Sequence, residues 1–420
     1  MALIPLEQAR EQVLATCAPL APVERPPSEA LGCLTAAAVV CDQQVPPFDN
    51  SAMDGYAVRA ADVEGAGADT PVVLRVVGTV HAGGVPSVPV GEGEALRVMT
   101  GAPMPAGADA VVMIESTSEL DGGAAVEIRE AVPPGRHVRP AGDDLRPGDV
   151  VIEAGVELTP ARIGVLAALG MATVVVHPRP RVGVLSTGDE LVEGPGPLGP
   201  GQIRDSNRPM LLALVRASGF VPVDLGRIPD DADAIRAAFA SAAERCDAVI
   251  SSGGVSMGEV DLVKDVLGEL GELRSMKIAI KPAKPFAFGI IGSGGSAGGG
   301  RSGPIPVFGL PGNPVSSVVS FELLARPALR RMMGFPDDRL DRPRVRAIAD
   351  ERLPRRPDGK VHFVRVVCRH GDDGRLHVRS AGGQGSHQLG SLAAADGLAI
   401  LPDGDGIEAG AAVDVVLLRS

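Results

Sequence analysis

Between Asp247 and Leu262 the chain reads D-A-V-I-S-S-G-G-V-S-M-G-E-V-D-L. Ala248-Val249-Ile250 is a short apolar run of the kind that makes a buried strand. Ser251, Ser252, Gly253, Gly254, Val255, Ser256, Met257 and Gly258 form a small-residue turn, and helical spacing resumes at Val260, Val263, Val266 and Leu267. A strand, a small-residue turn and a helix start together build an anion site. Glycine admits close backbone approach, and free N–H groups at the helix start attract an oxyanion. The exit carries Glu259 and Asp261. These carboxylates repel a bare phosphate but suit a divalent cation that bridges one. As acids in a first turn, they suit helix capping equally well.

Comparable loops recur along the chain. S-T-G-D-E-L carries Asp189 and Glu190, I-R-D-S-N carries Asp205, and Asp230-Asp231 opens a helix. Lys277 precedes I-K-P-A-K-P with Lys281 and Lys284, and L-P-G-N-P-V-S-S supplies Pro311, Gly312, Asn313, Pro314 and Ser316. Nearer the N-terminus, Asp54 lies in the turn-rich V-P-P-F-D-N-S-A-M-D-G-Y-A-V, Thr100 before a Gly-Pro bend, and Asp143-Asp144 in R-P-A-G-D-D-L. Towards the C-terminus stand Arg365 and the turn G-G-Q-G-S-H with Ser386 and His387. Each acid alone reads as a cap or a solvated turn. Together they are oxygen ligands for a hard cation such as Mg²⁺, with lysines and an arginine for oxyanions. His and Cys at metal-ligand spacing are lacking, which argues against a protein-ligated zinc site, and no G-x-x-x-x-G-K-[ST] loop occurs.

The elements that must position these loops fall into blocks. Residues 4–20 read as a helix with Ile4, Leu6, Ala9, Val13 and Leu14 near one face, and 31–40 as a partly helical packing piece. Short strands at 72–77, 94–98, 110–114 and 125–128, separated by Gly/Pro clusters, predict a small β domain. Thr159-Pro160 predicts the start of a helix running to Leu169. From about 177 strands and helices alternate with short loops, which predicts a mainly parallel sheet with helices on both faces. In such folds ligands sit beyond the carboxyl ends of the strands, where S-T-G-D-E, S-G-G-V-S-M-G-E, K-P-A-K-P and L-P-G-N-P fall. Residues 292–303, G-S-G-G-S-A-G-G-G-R-S-G, have linker composition. After Gly334, strands at 344–348, 361–368, 376–379, 397–401 and 413–418 predict a C-terminal β barrel or sandwich.

The chain has 420 residues, which sets a prior of two to four domains. Aromatic residues make up 2%, with no Trp and one Tyr, against a nucleobase-stacking surface. A net charge of -12 and a pI near 5.1 disfavour nucleic acid and anionic membranes as partners. The five cysteines form no C-x-x-C pair, which points to reduced thiols and a cytoplasmic protein. No signal peptide and no bilayer-spanning run are expected.

The loops just quoted, with M-T-G-A-P-M-P-A-G-A-D-A-V-V and I-K-P-A-K-P-F-A-F-G, arrive in an order that resembles MoeA-type molybdopterin molybdenumtransferases, relatives of the E domain of gephyrin-like proteins. The resemblance covers nearly the whole chain. It implies an elongated N-terminal domain (1–51 and 141–176), a small β domain (52–140), an α/β molybdopterin-binding domain (177–334) and a C-terminal β barrel (335–420). It implies the last step of molybdenum cofactor synthesis: adenylylated molybdopterin and molybdate become cofactor and AMP, with Mg²⁺ or a similar cation. It further implies a homodimer with a cleft between domains and across the dimer, and transient contact with the adenylyltransferase and with cofactor-receiving enzymes. By resemblance, Asp54, Thr100, Asp144, Glu190, Asp230 and Asp261 take catalytic positions. Asp189, Glu190 and Asp261 are the metal candidates. Ser252, Gly253, Gly254, Ser256, Gly258, Glu259, Lys277, Gly312, Asn313 and Ser316 contact substrate, Pro311 and Pro314 shape the pocket, and Lys281, Lys284, Arg365 and Ser386 take the oxyanion. Asp143 beside Asp144 leaves the register of that loop open by one residue. A molybdopterin adenylyltransferase, which shares the α/β domain but carries T-G-G-T-G where this chain has S-G-G-V-S, and a non-catalytic gephyrin-like scaffold are the alternatives.

Overall fold

The computed structural model describes residues 3–253, 262–292 and 304–418. The chain divides into two compact units: Glu24–Leu31 with Ala37–Val174, and Met1–Val23 with Gly32–Ala36 and Val175–Ser420.

The first unit holds a six-stranded sheet in the order Ala110–Met113, Gly55–Val58, Glu94–Val98, Val72–Val80, Ala125–Ile128 and Thr117–Leu120. All neighbours are antiparallel except Val72–Val80 with Glu94–Val98. Side chains alternate across a strand, so Tyr56 and Val58 enter one apolar cluster while Ala57 enters another. The sheet is therefore buried on both faces. The helix Pro160–Ala168 starts where Thr159-Pro160 predicts, and the Thr159 hydroxyl accepts from the backbone N–H of Arg162. The 31–40 segment is not helical: Leu34–Thr35 and Val39–Val40 are short strands.

In the second unit the N-terminal helix is shorter than its apolar spacing suggests. It runs Leu6–Leu14, starting after Pro5 and closing at Ala15. The central sheet is ordered Val221–Ile228, Arg181–Thr187, Ala248–Ser252, Ile305–Leu310, Pro285–Ile291 and Gly271–Lys277. The first four strands are parallel, and the last two add antiparallel to the edge. Strands buried on both faces read as continuous apolar runs. Val182, Val184 and Ile250 pack on one side with Leu211 and Val215 of the helix Asn207–Ala217. Leu185 and Val249 pack on the other with Phe239 of Ala232–Arg245 and Val263 of Leu262–Leu270. Asp231 caps its helix by accepting from the Ala234 N–H at 2.8 Å.

The C-terminal strands Arg344–Ala349, Val361–His370, Leu376–Ser380, Gly397–Leu401 and Ala412–Leu417 close into a barrel through the pairing of Val361–His370 with Gly397–Leu401. Alternation along Val361–His370 sends Val366 into the barrel core and Phe363 into the core of the central domain. A second link is Ile280–Lys281, which leaves the central domain and pairs in parallel with the barrel, Ile280 opposite Val361 and Lys281 opposite His362.

Candidate functional site

Two cavities in the second unit are lined by candidate residues. The larger, about 1060 Å³, opens between the 281–285 loop of the central domain and the rim of the barrel. Lys281 and Lys284 line one side, and Arg355, Arg356, Lys360 and His362 the other. The loop folds as it does because Ile278 N–H donates to the Lys284 carbonyl at 2.8 Å, closing a turn through Ala283, whose φ is +77°. The barrel side is held by Arg355, whose side chain is fully buried. It donates to the carbonyls of Lys360, Leu401 and Pro402, to Asp358 at 3.0 Å and to Asp403 at 2.6 Å. Asp358 also accepts from Lys360 at 2.7 Å and contacts His362 Nε2 at 3.1 Å. The Lys360 hydrogen bond, then that of His362, brings the Asp358 carboxyl down to about 2. Lys281, Lys284 and Arg356 have no carboxylate partner among the described residues. Cations without counter-ions in a cavity suit it to an anion.

Ser316 and Ser386 also line this cavity. The Ser386 carbonyl accepts from Val315 N–H at 3.0 Å, docking the 382–387 turn onto the helix Pro314–Ser320. Arg365 is not in the lining of either cavity. It is fully buried beneath that turn, with Nε donating to Ser391 Oγ at 3.0 Å and Nη2 to the carbonyls of Gly383 and Gly385 at 2.7 and 3.1 Å. Its Nη1 has no hydrogen-bond partner among the described residues. Burial lowers its pKa. These bonds hold the turn that carries Ser386 in place.

The smaller cavity, about 330 Å³, lies at the carboxyl ends of the parallel strands and is lined by Thr187, Glu190, Ser252, Gly253, Gly312 and His387, among others. Asn207, buried at the start of its helix, ties two of these strand ends together: its Nδ2 donates to Ser252 Oγ at 2.9 Å and to the Gly312 carbonyl at 2.7 Å. Its Oδ1 is buried without a hydrogen-bond partner among the described residues. Gly253 has φ +93°, and a Cβ there would sit 2.7 Å from the Thr187 carbonyl oxygen, so only glycine fits. Asp205 is spent on structure, accepting from Ser186 Oγ at 2.6 Å and from Arg208 Nε at 3.2 Å. Asn313 lines both cavities, and the turn divides them, with Ser386 on one side and His387 on the other.

The remaining candidates are placed as follows. Pro314 lines the smaller cavity, whereas Lys277 and Pro311 line neither. Asp189 is exposed and accepts from the Asp230 N–H at 3.3 Å. In the other unit, Asp54 accepts from Thr100 through both its N–H, at 2.6 Å, and its Oγ1, at 2.7 Å. The backbone bond, then the hydroxyl, lowers the Asp54 pKa. Asp143 and Asp144 are both exposed. Gly254, Ser256, Gly258, Glu259 and Asp261, and the Gly/Ser stretch 293–303, lie outside the described residues. The sequence reading missed Arg355, Arg356, Asp358, Lys360, His362, Asn207 and His387 as site residues. The basic R-R-P-D-G-K run was the available signal for the first group.

A strand-end pocket in an α/β domain, next to a cation-lined cavity on a β barrel, is the arrangement expected of a protein that binds anionic ligands. The chain belongs to the MoeA family. Residues 4–170 match the MoeA N-terminal region (domain I and II), 183–331 the probable molybdopterin binding domain, and 346–418 the MoeA C-terminal region (domain IV). It is similar to molybdopterin molybdenumtransferase 2 of Mycobacterium tuberculosis, 41% identical over 389 residues and 91% of each chain. It is also similar to the molybdopterin molybdenumtransferase of Haemophilus influenzae, 40% identical over 359 residues, 86% of this chain and 84% of the relative. Among solved structures, the molybdopterin biosynthesis MoeA protein of Pyrococcus horikosii superposes with a TM-score of 0.78 at 33% identity, covering 100% of both chains.

Proposed function

We propose that this chain inserts molybdenum from molybdate into adenylylated molybdopterin, hydrolysing the adenylate and releasing AMP and finished cofactor. Its family is that of the molybdopterin molybdenumtransferases, so molybdenum insertion in cofactor biosynthesis is the coarse reading. The finer one rests on a single observation: the unpaired Lys281, Lys284 and Arg356 line a cavity that shares Asn313 and the 385–387 turn with the strand-end pocket. A tetrahedral dianion in the first and an adenylylated pterin in the second would lie side by side. The ammonium groups hold the oxyanion by charge-assisted bonds, and the pre-set loops supply placement. Thiolate sulfurs of the pterin are the ligands that suit molybdenum, so the protein need only orient the two.

Mg²⁺ or a similar divalent cation completes the proposal. Glu190 presents a carboxylate to the smaller pocket with no protein donor on it among the described residues, and Asp189 stands beside it. This is a hard-oxygen donor set, and with Asp261 these residues would hold the ion, which when bound neutralises charge on the phosphoanhydride. No cluster of three or more His, Cys, Asp or Glu suited to a metal occurs among the described residues, so substrate and water oxygens would make up the remaining ligands.

We carry the homodimer, the cytoplasmic location, transient contacts with the adenylyltransferase and cofactor-receiving enzymes, and the catalytic roles of Asp54, Thr100, Asp144 and Asp230 as parts of the same proposal. The five free cysteines accord with the location, and no helix among the described residues is long and apolar enough to cross a membrane. The test is AMP release from adenylylated molybdopterin on addition of molybdate. Molybdate-dependent release supports the reading. Adenylylation of molybdopterin from ATP instead, or binding without turnover, sinks it in favour of an adenylyltransferase or a scaffold. Light scattering of the purified chain tests the dimer.

A further inference from the structure

We propose that the larger cavity takes its tetrahedral oxyanion together with one proton, carried by the imidazole of His362, which makes His362 a binding residue of that subsite. The inference rests on the reading of this cavity as the oxyanion site.

His362 is buried, at 8% exposure, and lines the cavity. Its placement follows from the parallel pairing that sets it directly opposite Lys281. On its other flank the barrel pairs it with Leu401, which is apolar. Its charged neighbours are therefore Lys281 across the pairing, and Asp358, Arg355 and Lys360 from the turn that leads into its own strand. Asp358 is the one carboxylate in this set, and it is shared. Oδ1 serves both Arg355, at 3.0 Å, and His362, at 3.1 Å, while Oδ2 serves Lys360, at 2.7 Å. Arg355 has Asp403 in addition, whereas His362 has no second acid among the described residues.

In the empty cavity a charged imidazole would have to share Asp358 with Arg355 and Lys360, beside the unpaired Lys281, Lys284 and Arg356. Burial accordingly holds the ring's pKa below its ordinary value, with Arg355 and Lys281 adding to the effect and Asp358 opposing it. A bound dianion reverses the local field and favours the charged ring. The neutral ring donates to Asp358 from Nε2, leaving Nδ1 an acceptor without a hydrogen-bond partner among the described residues. Protonation at Nδ1 turns that acceptor into a further donor for the oxyanion. The proton comes from solvent, and no bond of the oxyanion is broken. Because the bound-state pKa lies above the free-state value, affinity rises as pH falls from the bound value to the free value and levels off below it. Each unit of that separation appears as about a tenfold gain in affinity.

The experiment is calorimetric titration of the full-length protein with sodium molybdate, and separately with sulfate, over about pH 6 to 8 in buffers of different ionisation enthalpy. Sulfate stays a dianion throughout, so any proton taken up with it belongs to the protein. The expected result is fractional proton uptake and an affinity that climbs as pH falls, by at most about tenfold per pH unit for one proton. His362→Gln should remove both and stay near the wild-type affinity at high pH. Asp358→Asn, which keeps the ring but removes its acid, should move the rise to lower pH. Oxyanion binding without proton uptake, uptake that persists in His362→Gln, or an unmoved window in Asp358→Asn overturns the inference and leaves the cavity reading intact. Failure of the wild-type protein to bind either oxyanion overturns both.

Discussion

Replacing Lys281 by alanine should weaken molybdate binding while leaving the fold alone. The side chain is exposed at the cavity wall and has no ion-pair partner among the described residues, so its removal strands no other group. Coulomb's law gives about 4 kcal/mol for a unit charge pair 4 Å apart at an effective dielectric near 20, and desolvation returns much of that. Charge-assisted hydrogen bonds retain about 1.5–3 kcal/mol net. The expected loss is therefore roughly ten- to a hundredfold in apparent molybdate affinity, with a melting temperature close to wild type. Arg365→Ala makes the contrast. That guanidinium is fully buried and donates to Ser391 and two carbonyls, so its loss should cost about 3 kcal/mol of stability as well as function. AMP release against molybdate concentration, with thermal melts alongside, reads both variants. Unchanged molybdate dependence in Lys281→Ala would refute the assignment, as would a fall in stability large enough to account for the lost activity.

Further outcomes follow from the same geometry. Glu190→Gln should raise the Mg²⁺ concentration needed for half-maximal AMP release and leave the molybdate curve in place; a shift of both curves alike would remove Glu190 from the cation. Gly253→Ala forces an L residue to φ +93° with its Cβ 2.7 Å from a backbone oxygen, at a cost of about 2 kcal/mol or more, read as a lowered melting temperature with weakened pterin binding. The Asp358 carboxyl is brought down to about 2 by Lys360 and His362. Its contribution to stability is therefore fully present above the ordinary carboxylate range and is lost as pH falls towards about 2. Asp358→Asn should flatten that part of an acid-denaturation profile, and an unchanged profile would show that the contacts do not stabilise the fold.

Much of the fold was legible because its signals are local. Apolar runs, caps at Thr159 and Asp231, and small-residue loops after strands need only neighbours in sequence to be read. The N-terminal helix was over-extended because apolar spacing continues past Leu14 while the hydrogen-bonded helix does not. The 31–40 segment is apolar, but its two short strands depend on partners far along the chain, Val39–Val40 pairing with Val150–Ile152. The barrel half of the larger cavity was invisible for a related reason. R-R-P-D-G-K has the composition of a solvated turn, and only closure of the barrel and the pairing of Lys281 with His362 turn it inward. Arg365 sits in an otherwise apolar strand, V-H-F-V-R-V-V, where alternation alone cannot tell a buried clamp from a ligand-facing cation.

The Ile280–Lys281 crossing also decides how much variation in length this part of the chain can absorb. Surface loops tolerate added residues because nothing fixes their phase. Here Ile280 is fully buried opposite Val361 while Lys281 is exposed opposite His362. Adding or deleting one residue between the edge strand Gly271–Lys277 and this pairing would exchange the two faces, turning an ammonium group into the apolar interior and an isoleucine to the cavity. The segment thus behaves as a ruler rather than a linker: its residue types near the turn can drift one at a time, but its length is fixed by two domains at once.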